Sequence, residues 1–440
     1  MNLSPRKHNV SPRVLTLVNL LGKGGGTTRA LVSLDYYYRI GWQLETYVDC
    51  LSYIWSVRDG FKDAAAIYRR YNIVPVGYEK PASLMHLVNI SPRSRRWLYG
   101  VVGELLCKQN LCKKVFIVRG YKPDVVISFH EDLPYLRLAS ELKNLYSAPA
   151  ITFLQSTPFY GDKTRMRNIK EACLLHRRLL VNSWSKMALD TIRGFLKENR
   201  RKIEVLLDSL DRVIAISKAI VIEMQKVPRN TVYMDPGVSL DSGAMNIIRR
   251  IRALNIPRED YIAFIGRPTD CRKGFAEALI AFKFLHKEFP TLKLLVAGTT
   301  SPSFKKGVYH FLEKYLRVNW SKVVFTGFLG REDLYKLITG SRLVLYPSHA
   351  DAYPFVVLES LMLETPVVAY RIPALEIYYG NIEGEGIWLV KEGDIEKLVG
   401  AAIEVLELER RKELKVGFPR IRPMDEIMRE EVELINRVLR

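Results

Sequence analysis

The sequence predicts two α/β units in tandem, each a doubly wound parallel sheet covered by helices on both faces. Short apolar runs alternate with amphipathic helical stretches, and the alternation restarts after about residue 240. A length of 440 residues with 48% apolar content also exceeds what one simple core needs.

In the first unit VLTLVNLL (Val14 to Leu21) reads as a strand and GKGGGTT (Gly22 to Thr28) as a glycine turn. RALVSLDYYYRI then repeats Leu31, Leu34 and Tyr38 at helical spacing until Gly41. WQLETYVDC is a second strand. PDVVISFH (Pro123 to His130) and APAITFLQS (Ala148 to Ser156) are buried strands separated by helical LPYLRLASELKNLY. DRVIAISKAIVIEMQK (Asp211 to Lys226) gives strand, small-residue turn and helix.

In the second unit the strands are YIAFIG, LKLLVAG, VVFTGF, SRLVLYP and TPVVAY, and the helices include KGFAEALIAFKFLHKEF, DLYKLIT and FVVLESLML. The segment from Asp235 to Asp260, with DPG and IPRED, is the expected hinge. The expected division is therefore 1–240, 241–415, and a closing amphipathic helix in 416–440 that packs back on the first domain.

The formal charge of +20 is unevenly distributed. Residues 1–240 hold 37 Lys and Arg against 20 Asp and Glu, a net +17; the remainder holds 30 against 27, a net +3. Such asymmetry points to a basic face aimed at an anionic partner. Two basic helical stretches carry it, Ser91 to Pro123 and Thr191 to Leu207. An anionic membrane surface is the favoured partner, and nucleic acid is disfavoured because no recognition module is present.

Five scattered cysteines (Cys50, Cys107, Cys112, Cys173, Cys271) argue against a disulfide framework or a zinc site and for a reducing compartment. The start MNLSPRKHNVSPR lacks a signal-peptide pattern, so the expected location is cytoplasmic, peripheral on the inner membrane face. Glutamine occurs only at 43, 109, 155 and 225 while Lys, Arg and Glu are plentiful, a bias of hot-environment proteins.

In open parallel sheets ligands sit beyond the carboxyl ends of the strands. After YIAFIG come Arg267, Arg272, Lys273 and Gly274 at a helix start, the parts of a diphosphate site. After SRLVLYP, Asp351 precedes a helix whose first turn is expected to include Pro354, and Glu359 lies within it. Glu359 sits between Leu358 and Leu361, so its carboxylate needs a partner. The alternative is an N-cap at Asp351 and an exposed Glu359.

Seven segments occur in the order found in a known family: GGGTTRALVSL, DRVIAISKAI, YMDPGV, FIGRPTDCRKG, KLLVAG, VVFTGFLGREDLYKLITGSRLVLYPS and DAYPFVVLESLMLETPVVA. From about Val14 to Leu406 the chain resembles the retaining family 4 glycosyltransferases, which have the GT-B fold of two Rossmann-like domains facing a cleft. The resemblance implies that Arg267 and Lys273 clamp a donor diphosphate, that Asp351 faces the donor sugar and that Glu359 binds the ribose. It places Gly266, Gly327 and Phe328 beside the nucleotide, and the loop of Tyr353, Pro354, Phe355 and Val356 against sugar and phosphate. Gly25 and Gly26 match the close-approach turn of the first domain, and Gln155 stands where many members have a sugar-facing histidine. His130 is a second candidate for a sugar or acceptor contact.

The chain departs from the family at Asp351, usually Glu, at Glu364, usually Gly, and at Gln155. No Asp-x-Asp pattern occurs, so no metal is expected; the nucleotide diphosphate sugar is a co-substrate, and no cofactor is implied. The expected function is sugar transfer to a glycan or lipid-linked acceptor. An epimerase of the same fold and a noncatalytic nucleotide-sugar-binding subunit are the alternatives.

Overall fold

The computed structural model describes residues 11–18, 25–49, 73–76, 122–180, 200–234 and 240–440. The basic stretch from Ser91 lies outside them up to Tyr121, as do the start of the second basic stretch up to Asn199, Gly22 to Gly24, and 235–239 of the hinge.

The first domain comprises β1 (Arg13–Leu17), α1 (Gly25–Arg39), β2 (Gln43–Asp49), β3 (Ile73–Val76), β4 (Val125–Ser128), α2 (Leu133–Tyr146) and β5 (Ala150–Leu154), then α3 (Lys163–Leu180), α4 (Arg200–Ser209), β6 (Arg212–Ala215), α5 (Lys218–Met224) and β7 (Thr231–Tyr233). Its strands run in the order β3-β2-β1-β4-β5-β6-β7, and every pair is parallel. β4 and β5 are buried along their whole length, which is why they read as unbroken apolar runs rather than alternating ones.

The second domain comprises α6 (Ser242–Ala253), β8 (Tyr261–Ile265), α7 (Phe275–Glu288), β9 (Lys293–Ala297), α8 (Pro302–Phe311), β10 (Val323–Gly327) and α9 (Arg331–Gly340), then β11 (Val344–Tyr346), α10 (Phe355–Met362), β12 (Val367–Tyr370), α11 (Pro373–Tyr379), β13 (Ile387–Val390) and α12 (Ile395–Arg410). Its order is β10-β9-β8-β11-β12-β13, again all parallel. In both sheets the order in which the chain adds strands thus reverses beside the first strand, between β1 and β4 and between β8 and β11. These switch points are where a doubly wound sheet opens a crevice.

Three details differ from the sequence reading. α1 begins at Gly25, so the last two glycines form its first turn instead of a preceding loop. The hinge segment contains α6, whose N-terminus is capped by the Asp241 carboxylate accepting from the Ala244 N–H at 2.8 Å; Ala244, Ile248 and Ile251 bury one face in the second core. The expectation against disulfides drawn from the scattered cysteines is also corrected. Cys173 and Cys271 form a disulfide across 98 residues of chain, a proximity that only the tertiary fold creates.

The last helix, α13 (Met424–Leu439), crosses to the first domain, where Ile427, Met428 and Ile435 join the core. Glu431, fully buried, accepts from the Tyr37 hydroxyl at 2.5 Å and pairs with Arg29 of α1. The domains also meet where the Tyr378 hydroxyl of α11 lies 3.0 Å from Ser217 Oγ at the start of α5. Among the described residues, no helix is long and apolar enough to cross a membrane.

Candidate active site

The second switch point gathers the cationic turn after β8 and the loop after β11. Gly274 makes this possible: its φ is +67°, and a Cβ there would stand 1.9 Å from the Pro347 carbonyl oxygen. Only glycine lets the turn carrying Arg272 and Lys273 press onto the exit of β11. The His349 N–H, donating 2.8 Å to the Arg272 carbonyl, stitches the two loops together.

Lys273 and Asp351, 78 residues apart, meet here. Lys273 Nζ lies 2.7 Å from Asp351 Oδ2 and 3.4 Å from the Ala350 carbonyl. The same carboxylate oxygen accepts from the Tyr346 hydroxyl at 2.5 Å, and Oδ1 accepts the Tyr353 N–H at 3.2 Å. Burial pushes the Asp351 carboxyl up, but Lys273 and these donors outweigh it and hold it below its ordinary range. Asp351 is therefore an anion whose first bond goes to its own loop, not to the helix N-terminus, and α10 starts one residue after Pro354.

Arg267 leaves the same strand end with its side chain 65% exposed, 3.7 Å from Asp270. Arg272 is instead committed to Asp270 at 2.8 Å and 3.0 Å. Burial opposes the charge of both partners, yet their bonding holds Asp270 well below its usual range and Arg272 above its own.

Glu359 has the partner its setting demanded. The Tyr335 hydroxyl of α9 donates to its Oε1 at 2.8 Å. Burial raises the carboxyl to about 7, against the downward pull of Tyr335 and Arg331. Arg331, at the start of α9, is itself anchored to Asp241 at 3.0 Å. At the end of β10, Gly327 has φ +80° with open space at its Cβ position, and the Phe328 ring beside it is 54% exposed. The Tyr353 ring packs edge-on against Phe355 at 4.6 Å, and the Pro354 carbonyl accepts from the Tyr379 hydroxyl at 3.4 Å, which fixes the Tyr353–Val356 loop.

Across the cleft, Gly26 and Gln155 are neighbours. A Cβ on Gly26 would stand 2.9 Å from Gln155 Oε1, while the Gln155 amide donates to the Phe129 carbonyl at 2.8 Å. Gly25, one residue earlier, opens the same first turn of α1. Gln155 Oε1 and His130 Nε2 are buried without hydrogen-bond partners among the described residues. Burial lowers the His130 imidazole to about 4, so the ring is neutral, and it packs against Tyr135 at 5.1 Å.

The sequence reading missed Glu131, which ties these strand ends together by accepting the Gln155 N–H at 3.0 Å and the Ser156 hydroxyl. Burial raises it to about 7. Tyr335 and Tyr346 were also missed. Both lie inside segments that carry the family resemblance, but an apolar strand or helix position gives no sign that its hydroxyl reaches a carboxylate.

Known proteins share parts of this sequence and its fold. Residues 247–416 match the sequence model of the family described as Glycosyl transferases group 1. A D-inositol 3-phosphate glycosyltransferase of Mycobacterium sp. (strain JLS) is 29% identical over 154 residues, 34% of each chain, so the match spans about a third of that relative. An uncharacterized glycosyltransferase of Methanocaldococcus jannaschii is 23% identical over 337 residues, covering 72% of this chain and 76% of that one.

Among solved structures, sucrose-phosphate synthase of Thermosynechococcus elongatus superposes with a TM-score of 0.59 at 15% identity over 97% of this chain and 99% of that one. Anabaena HepE in complex with UDP and glucose gives 0.58 at 14% identity over 97% and 99%. The fold is GT-B, and the comparisons support a glycosyltransferase of the group 1 type.

Proposed function

We propose that the chain is a retaining, metal-independent glycosyltransferase that moves a sugar from a nucleotide diphosphate donor to a glycan or lipid-linked acceptor. The observation that carries this reading is the pairing of Lys273 with Asp351 at the second switch point, beside the exposed Arg267. Such an arrangement offers fixed cations where a diphosphate leaves and a carboxylate where a sugar hydroxyl donates. On donor binding Lys273 exchanges part of its contact with Asp351 for phosphate oxygens, and Arg267 closes on the other side.

Glu359 accepts from the ribose hydroxyls, with Tyr335 holding its orientation. The backbone of Tyr353 to Val356 faces sugar and phosphate, and Gly266, Gly327 and Phe328 line the nucleotide. Gly25, Gly26, Gln155 and neutral His130 form the facing wall.

In transfer, the sugar–phosphate C–O bond breaks as the acceptor oxygen bonds to the same face of the anomeric carbon. The acceptor's proton passes to a phosphate oxygen of the leaving diphosphate. Arg267 and Lys273 take up the negative charge that develops, so the electrostatic help increases along the reaction. The net +17 of residues 1–240 supports an acceptor presented at an anionic membrane face, and a cytoplasmic protein bound there peripherally.

The test is donor turnover with membrane extract as acceptor, starting from UDP-glucose, a HepE ligand. Lys273→Ala and Glu359→Gln should each lower kcat/KM by at least about a hundredfold while remaining folded. Unchanged turnover in both would sink the site assignment. An epimer formed with donor alone would replace transfer by epimerisation, and saturable nucleotide binding without turnover would leave only a binding subunit.

A further inference from the structure

Helix α3 belongs to the first domain by chain order but lies on the second. Leu175 and Leu179 pack against the second core, His176 stacks on Phe304 at 5.9 Å, and Cys173 is bonded to Cys271, two residues before Lys273. At its first turns stands Arg165. Nη2 of the guanidinium donates to Glu223 of α5 at 2.7 Å and to the His349 carbonyl at 2.6 Å, and Nη1 pairs with Glu392 beyond β13.

Glu392 also accepts from Asn168 at 2.7 Å. His349 places Nδ1 2.8 Å from Glu392 and Nε2 2.6 Å from Glu277 of α7. At the far end, Glu223 accepts the Thr157 hydroxyl at 3.0 Å. A buried line of charge therefore runs from Glu223 in the first domain through Arg165, Glu392 and His349 to Glu277, directly beneath the loop that carries Ala350 and Asp351.

We propose that Arg165 and His349 are positioning residues that lock the two domains together and fix the 348–351 loop on which Asp351 meets Lys273. Buried ion pairs add little net stability compared with apolar packing, but removing one member leaves an uncompensated charge. Such a network therefore serves registry better than strength. Arg165 is suited to this role because its planar fork reaches two carboxylates and a carbonyl from a fixed position, which a lysine cannot reproduce in full. The half of the inference that concerns Asp351 rests on the proposed transferase; the locking of the domains does not.

The network also has a pH range. Burial opposes the His349 charge, but Glu277 and Glu392 overcome it and raise the imidazolium to about 9. The groups facing it are Glu277 from α7, Glu392 after β13, Arg165 from α3 and the Tyr370 ring of β12 at 5.1 Å. A group raised on folding contributes fully below its unfolded value near 6.5 and loses that contribution as pH climbs through about 9.

The test combines small-angle X-ray scattering with donor kinetics on the full chain, disulfide intact, between pH 7 and 10. Wild type should expand, and its donor KM rise, in one step through about pH 9. Arg165→Met should be expanded already at pH 7 with donor KM raised about tenfold. Arg165→Lys should recover part of both, and His349→Gln should match wild type above the step and show no step itself. Arg167→Ala, at an exposed position on the same helix, should change neither.

Wild-type compactness and KM in Arg165→Met would overturn the proposal. If that variant does not fold, a flat wild-type profile across the range would overturn it equally. A wild type that transfers no sugar at any pH would refute the transferase reading, while the scattering would still decide the lock.

Discussion

Single residues around the second switch point make the sharpest predictions. Glu359 is raised from 4.5 to about 7 by burial, so the folded protein binds its proton more tightly than the unfolded chain does. Its contribution to stability should then fall as pH rises from 4.5 to 7, while nucleotide affinity, which needs the carboxylate, should rise over the same range. Glu359→Gln should flatten the affinity curve in nucleotide titration and reduce the slope of the stability curve in chemical denaturation. Glu131, also near 7, should leave its own signal in the variant's stability curve.

Gly274→Ala should cost about 2–4 kcal/mol in denaturant unfolding, because both the backbone angle and the Pro347 carbonyl oppose it. Glu364 holds φ +61° where the family has glycine. Glu364→Gly should gain about 0.5–1 kcal/mol, since the exposed ion pair it gives up with Arg252 is worth little. The places of Arg267, Lys273 and Asp351 in the fold were legible because they follow strand ends, and the need of Glu359 for a partner because it sits on an apolar helix. Tyr335, Tyr346 and Glu131 were not, because their meaning is a contact between elements that sequence spacing does not express.

Elements were legible where their faces are simple. β4, β5, β8 and β12 are uniformly buried and read as apolar runs, and α2 occupies the very segment its periodicity marked. α6 was hidden inside a stretch flanked by DPG and IPRED, where proline and glycine suggest a linker. α3 is so rich in Lys and Arg that its narrow apolar stripe, Ile169, Ala172 and Cys173, did not stand out from the charge. α13 supplies a test at this scale. Glu431→Ala would strand Arg29 in the first core without its counter-charge and should destabilise by about 3–5 kcal/mol in denaturant unfolding.

For the whole molecule, the order of strands in the two domains follows from alternation, but the way the domains are joined does not. Among the described residues two segments cross between them: α13 returns to the first core, and α3 reaches out to the second. The disulfide fastens α3 to the turn that holds Lys273, and disulfides also occur inside hyperthermophile cells, so the bond does not itself assign a compartment. Cys173→Ser should cost about 2–4 kcal/mol through the long loop it opens.

The charge asymmetry was legible as a number, although much of the basic sequence behind it lies outside the described residues. The central claim is that the second domain holds a nucleoside diphosphate through Arg267 and Lys273. Calorimetric titration of UDP into wild type and Lys273→Ala tests it most directly. One saturable site is expected in wild type, with at least about tenfold weaker binding in the variant, each titrated below its own unfolding temperature. Equal affinity in the two proteins would contradict it.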